Sequence, residues 1–265
     1  MIDCHIHTRL CGHARGPMEA YVTRALERGL DAICFLDHLF EPDGRDGLSM
    51  TFKEIPLYFQ AVQRLRRRHR GRIDIKAGLE ADFDPRRFQE LADACRPFDF
   101  DVIAGAVHFP GGVDIASRRS PLKTGEADPD RIYETYFETL GQMAETGFFD
   151  VVCHFDLPKK FGVVFPSRSF DREIHDVLLK IKAAGMAVEA NAAGFDHAAA
   201  EPYPGPDIMR KCFEMGIDAV PGSDAHSPDQ VGRHIPRVIE MMRAAGYGHM
   251  TIFEKREKKK LPITF

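Results

Sequence analysis

Tryptophan is absent from this 265-residue chain, and tyrosine occurs only six times. Few side chains are therefore available to stack on bases, which argues against a single-stranded nucleic-acid groove. An excess of positive charge is missing too. The formal net charge is −4, so no nucleic-acid partner is expected. None of Cys4, Cys11, Cys34, Cys95, Cys153 and Cys212 pairs with another as CxxC, which disfavours a zinc ribbon or a redox dithiol. A chain of this length needs no disulfide staples, and buried free thiols are the expectation. No apolar run is long enough for a membrane span. The opening residues Met1-Ile2-Asp3-Cys4-His5 lack the basic start and apolar core of a secretory signal. The expectation is a cytoplasmic protein with no membrane association. With no Pro/Ser-rich linker or low-complexity stretch, residues 1–265 read as one domain. No heptad pattern assigns an oligomeric state.

What is present is one pattern repeated. A short run rich in Val, Ile or Phe leads to a polar residue, then a loop, then an amphipathic stretch. The predicted strands are 2–7, 32–38, 73–81, 100–108, 150–156, 186–192 and 219–226, spaced roughly 30 to 45 residues apart, as βα units require. The predicted helices are 17–28, 53–70, 85–95, 129–146, 170–184, 206–215 and 232–245. Gly147, Gly185, Gly216 and Gly246 stand where left-handed stop residues belong. Seven such units imply an α/β fold with a closed or nearly closed parallel barrel. No GxGxxG follows the first strand, which disfavours dinucleotide binding. The basic runs 64–72 and 255–260 read as a solvated helix end and a solvated tail.

Six of the seven strands end in or carry a metal ligand type. Strand one supplies His5 and His7, which share a face because strand residues alternate; Cys4 and Ile6 are then expected to face the helices. His38 closes strand two, Glu80 strand three and His108 strand four. His154 lies in strand five, Asp224 and His226 in strand seven, and His13 in the first loop. Parallel barrels gather such residues at the C-terminal mouth. Imidazole with carboxylate suits zinc, manganese or iron. The donors are too many for one ion and suit two or three, with Glu80 as the bridging carboxylate. Glu80, Asp224 and His226 are the residues expected to bear most directly on catalysis.

The motifs HIH at 5–7, CGH at 11–13, DH at 37–38, GLEADF at 78–83, GAVH at 105–108, CHFD at 153–156 and GSDAH at 222–226 together resemble the PHP (polymerase and histidinol phosphatase) family over nearly the whole chain. The run Asn191-Ala192-Ala193-Gly194 and the proline-rich stretch 202–206 look most like its histidinol-phosphatase branch. The resemblance implies a distorted seven-stranded, TIM-like barrel and a trinuclear site. His5, His7, Glu80 and Asp224 would hold one ion. Glu80, His108 and His154 would hold the second, and His13, His38 and His226 the third.

Clustered divalent ions activate water and stabilise charge on phosphoryl oxygens. The expected reaction is hydrolysis of L-histidinol phosphate to L-histidinol and phosphate by a metal-bridging hydroxide. The alternatives are a phosphoesterase acting on nucleotides or short oligonucleotides, and a non-catalytic metal-binding module. A phosphate dianion needs cations beside it, for which Arg233, Lys159, Lys160, Arg118 and Arg119 are candidates. Asp37 and Asp156 are expected to orient ligands; Asp156 or Glu189 could instead meet the substrate amine. The loop 39–51 reads as a lid or specificity loop.

Overall fold

The computed structural model describes residues 1–40, 47–162 and 166–263. Seven strands form one parallel sheet in sequence order: β1 (Ile2–Ile6), β2 (Ala32–Leu39), β3 (Asp74–Asp82), β4 (Val102–Ala106), β5 (Val151–Val152), β6 (Ala187–Asn191) and β7 (Ala219–Gly222). The ring nearly closes where Ile6 bridges Ala225 in parallel. There the His7 N–H donates to the Ala225 carbonyl at 2.9 Å, and the Ala225 N–H to the His5 carbonyl at 3.2 Å. The strands are buried on both faces, as a parallel sheet wrapped by helices demands.

Helices α1 (Met18–Glu27), α2 (Ile55–Arg68), α3 (Phe88–Cys95), α4 (Pro121–Thr124), α5 (Pro129–Glu145), α6 (Asp171–Ala183), α7 (Pro206–Glu214) and α8 (Ile235–Ala245) pack outside. The glycine stops hold: Gly147, Gly185, Gly216 and Gly246 all have positive φ. An outer core lies between sheet and helices and includes Tyr21, Phe35, Tyr58 and Phe137.

Three differences from the sequence reading matter for the site. The register between β1 and β2 slips between Asp3 and Ile6, a bulge that breaks strict alternation. Ile6 joins the outer core with Ile33 and Phe35, as expected, but Cys4 joins Cys34 and Leu36 in a separate inner cluster. The strands predicted as 150–156 and 219–226 stop early. His154 (φ 26°) and Asp224 (φ 57°) have left-handed backbone, which no strand continues through. The run 255–260 is no tail. It forms the turn and second strand of an antiparallel hairpin, β8 (His249–Glu254) and β9 (Glu257–Pro262). Ile252 and Phe253 share the inner cluster with Ile2, Ala32, Val102, Val151, Ala187 and Ala219, all at strand starts, so the hairpin stoppers the end opposite the strand C-termini. Residues 257–260 remain exposed, which is why their pattern reads as solvated.

Candidate metal centre

Every predicted ligand sits at the C-terminal end of a strand or in the loop that follows. His5, His7, Glu80, His38, His108 and His154 are buried, and Asp224, His226 and His13 lie progressively nearer solvent. His154 and Asp224 occupy backbone conformations that cost of order 1–3 kcal/mol each. The His154 N–H is tied to Glu189 Oε2 at 3.0 Å, which helps to hold that turn.

Glu80 lies at the centre, with its two oxygens facing different neighbours. Oε2 is 3.4 Å from His5 Nε2, 3.6 Å from His7 Nε2 and 2.7 Å from His38 Nδ1. Oε1 is 2.7 Å from His154 Nε2 and 3.6 Å from His108 Nε2. Yet among the described residues Glu80 Oε2 and His38 Nδ1, both buried, have no well-directed hydrogen bond. Asp224 Oδ1 lies 2.9 Å from His7 Nε2.

The imidazole tautomers follow from what stands behind each ring. His226 Nδ1 is 2.9 Å from the Asp224 carbonyl, and His13 Nδ1 is 2.7 Å from the Cys11 carbonyl. A carbonyl only accepts, so both Nδ1 atoms carry hydrogen and both Nε2 atoms are lone pairs when the rings are neutral. Those Nε2 atoms are 3.0 Å apart. His5 Nδ1 is 2.6 Å from Glu189 Oε1, which turns its Nε2 toward His7 Nε2 at 2.9 Å. His108 Nδ1 is 3.1 Å from Asp82 Oδ1, and Asp37 Oδ1 backs His7 Nδ1 at 3.4 Å. Carboxylates and carbonyls behind histidines, with free nitrogens converging in front, are how proteins hold divalent ions. Lone pairs facing one another and an unpartnered buried carboxylate oxygen fit cations between them.

The electrostatics divide the cluster. Burial pulls His5 down, but Glu189, Asp224 and Glu80 outweigh it and hold the ring well above its ordinary range. Burial likewise lowers His7, but hydrogen bonds to Asp224 and Asp37 raise it to about 9. Burial raises Glu80 and Asp224, but the histidines around them hold both carboxylates well below their usual range. This end attracts any cation, proton or metal. At the outer end burial prevails. It puts His38 well below its ordinary range and, with His7 adding repulsion, takes His226 to about 3 and lowers His13. Those rings are neutral near pH 7 and offer lone pairs.

Above the cluster opens a cavity of about 580 Å³, lined by His13, His38, His108, His154, Asp224 and His226 on its floor and by Phe40, Phe109, His197 and Tyr203 on its walls. The predicted cations separate here. Lys160, Arg118 and Arg233 line the cavity. Lys160 and Arg118 have no ion-pair partner among the described residues, while Arg233 meets Asp196 at 2.5 Å. Lys159 does not line it. Its ammonium is 2.6 Å from Asp156, 2.8 Å from Glu201 and 2.9 Å from the Pro202 carbonyl, so it fastens the 201–205 segment. Arg119 is exposed and also outside the wall.

Asp156 therefore orients no histidine; it holds Lys159 and accepts the Gly205 N–H at 3.0 Å. Glu189 sits buried behind His5 and is not free to meet a substrate amine. The sequence reading missed this role because a glutamate in mid-strand carries no mark of which ring it supports. It also missed His197 and Tyr203, joined through Nδ1 and the phenol oxygen at 3.0 Å. In the 39–51 loop, residues 41–46 lie outside the described residues; Phe40 and Leu48 flank the cavity.

Residues 3–193 match the PHP domain. A probable histidinol-phosphatase of Deinococcus radiodurans is 35% identical over 258 residues, covering 97% of this chain and 98% of that one. The histidinol-phosphatase of Lactococcus lactis subsp. lactis is 24% identical, covering 99% of this chain and 98% of its own. The crystal structure of histidinol phosphate phosphatase from Lactococcus lactis, complexed with zinc, L-histidinol and phosphate, has the same fold. Its TM-score is 0.81 at 21% identity, with 98% of each chain covered.

Proposed function

Because the chain belongs to the PHP domain family, we propose that it is a phosphomonoesterase that hydrolyses L-histidinol phosphate to L-histidinol and phosphate, a step of histidine biosynthesis. The observation that carries this reading is the convergence of histidines and carboxylates on the floor of a cavity whose wall includes Lys160, which has no ion-pair partner among the described residues. The full-length likeness to histidinol-phosphatases supports the choice of substrate.

His5, His7, Glu80 and Asp224 are the residues to hold one divalent ion, Glu80, His108 and His154 a second, and His13, His38 and His226 a third. Zinc, manganese and iron all suit these donors. Bound there, such ions lower the pKa of water and neutralise charge on the phosphoryl oxygens. Glu80, whose two oxygens face different groups of histidines, would be shared between two of these ions. Asp224, with 17% of its side chain exposed at the cavity, would hold its ion beside the attacking water. His226, neutral at pH 7, stands at the same edge.

Lys160 and Arg118 meet the phosphate dianion, charges that gain strength in a confined cavity. Arg233 also lines the cavity and joins them, while Asp196 fixes its direction. The aromatic side chains Phe40, Phe109 and Tyr203 leave an apolar enclosure for a small organic leaving group.

The test is phosphate release from L-histidinol phosphate, set against AMP and a short oligonucleotide. The protein is reconstituted separately with zinc, manganese and iron. Preference for L-histidinol phosphate, abolished by chelation, is the expected result. Turnover of the nucleotides alone would sink the substrate assignment. Bound metal with no turnover of any of the three would leave a metal-binding module.

A further inference from the structure

Cys11 is a buried thiol at the outer end of the cluster to which the proposed function gives no task. It closes the short 3-10 turn Arg9–Cys11 after β1 and is fully buried. Its Sγ lies within 4.8 Å of a donor nitrogen of His13 and of one of His226. A second set at the same spacing joins it to the fully buried His7 and Asp37, where Asp37 Oδ1 already stands 3.4 Å from His7 Nδ1.

The turn fixes the sulfur in place. The Ala14 N–H donates to Sγ at 3.2 Å. Gly12 is left-handed at φ 77°, and a Cβ there would lie 1.7 Å from the Gly47 carbonyl oxygen, so the two loops are in close contact. The carbonyl of Cys11 also orients His13 through Nδ1. One residue thus aims the histidine with its backbone and brings a sulfur alongside with its side chain.

Of the other cysteines, Cys153 also lies among donors, grouped with His5 and Glu189. There Glu189 already takes His5 Nδ1 at 2.6 Å, so that nitrogen is committed. At the outer end the Nε2 atoms of His13 and His226 face each other as lone pairs 3.0 Å apart, and among the described residues no other group bonds to either.

We infer that Cys11 is a thiolate ligand to the ion shared by His13 and His226. The inference rests on the proposed metal reading and extends it. The thiol proton passes to solvent as the sulfur–metal bond forms. A thiolate makes the outer position the soft end of the cluster, selecting zinc over manganese there, while the carboxylate-rich inner end takes either.

Cobalt substitution tests this without reference to activity. The cobalt-loaded protein is expected to show thiolate-to-cobalt charge-transfer absorption in the near ultraviolet. Cys11→Ser loses that band, and Cys212→Ser, changed on α7 away from the cluster, retains it. A band that survives Cys11→Ser, or one that disappears with Cys153→Ser instead, overturns the assignment. X-ray absorption of the zinc-loaded wild type needs no variant. A sulfur shell at about 2.3 Å is expected, and a shell of nitrogen and oxygen alone overturns the inference. Metal analysis of the same sample separates the two readings. Bound zinc without sulfur defeats only the Cys11 ligand, whereas protein that binds no zinc defeats the metal reading as well.

Discussion

Glu80 is the residue on which the cluster turns, because its two oxygens face two groups of histidines. Glu80→Gln keeps the volume and removes the charge. Losing several kcal/mol of transition-state stabilisation corresponds to a fall in kcat of about a thousandfold or more. Metal analysis is expected to show bound metal falling with it, and full metal content with normal kcat would contradict the bridging role. Two neighbouring lysines separate by environment in the same way. Lys160 is turned into the cavity and Lys159 is tied to Asp156 and Glu201. Lys160→Ala should raise KM and weaken inhibition by inorganic phosphate, with partial rescue by Lys160→Arg. Lys159→Ala leaves the buried Asp156 without its cationic partner and should cost about 1–3 kcal/mol of stability, read by denaturant titration, with phosphate inhibition unchanged. From sequence the two lysines are adjacent and equivalent; only the 3-10 turn Leu157–Phe161 sets them on different sides.

Among the elements, the strands deliver the ligands and the short left-handed turns after β5 and β7 aim them. A short apolar run rich in Val, Ile or Phe announces a strand buried on both faces, so the existence of all seven was legible. Where each stops was not, because His154 and Asp224 adopt left-handed backbone for tertiary reasons that no local propensity encodes. The β1 bulge is of the same kind: one extra residue against β2 turns Cys4 inward while His5 and His7 keep their place at the mouth. The hairpin escaped notice because β9 exposes most of its side chains and carries mainly lysines, a charged edge that also resists pairing with another chain. Its contribution is through β8. Phe253 is 4% exposed within the inner cluster, so Phe253→Ala should cost about 3–5 kcal/mol in denaturant unfolding. The mouth lies at the other end, so metal content in the folded fraction should be unchanged. Loss of metal from folded protein would show that the floor of the barrel props the centre directly.

At the scale of the whole molecule, ligands from three strands and four following loops bind together parts of the chain that are far apart in sequence. Metal removal should therefore lower Tm, and returning the metal should raise it with a dependence on free metal concentration. The pH dependence has a defined sign. The metal-free fold holds His7 up at about 9, above the ordinary histidine value, so at neutral pH a metal must displace its proton. Apparent metal affinity should rise with pH up to about 9 and weaken as pH falls, measured by competition with a chelator of known proton dependence. In the metal-free protein the same shift runs the other way. The stabilisation from His7 is fully present below the ordinary histidine pKa and is lost as pH rises through about 9.

The seven-unit barrel and its ligand types were set by sequence alone, since hydrophobic periodicity specifies strands and helices, and a parallel barrel brings strand ends to one mouth. The chemistry of imidazole and carboxylate, and the motifs shared with a known family, were also readable there. Only the tertiary structure decided which groups stand behind the ligands and which face the cavity. Glu189 behind His5, Asp156 on Lys159, and Cys11 beside His13 and His226 are contacts between distant or turn-related residues. Their partners depend on a bulge, on two left-handed residues and on the loops between strands. Periodicity reports which face of an element is buried; it does not report the group that face meets.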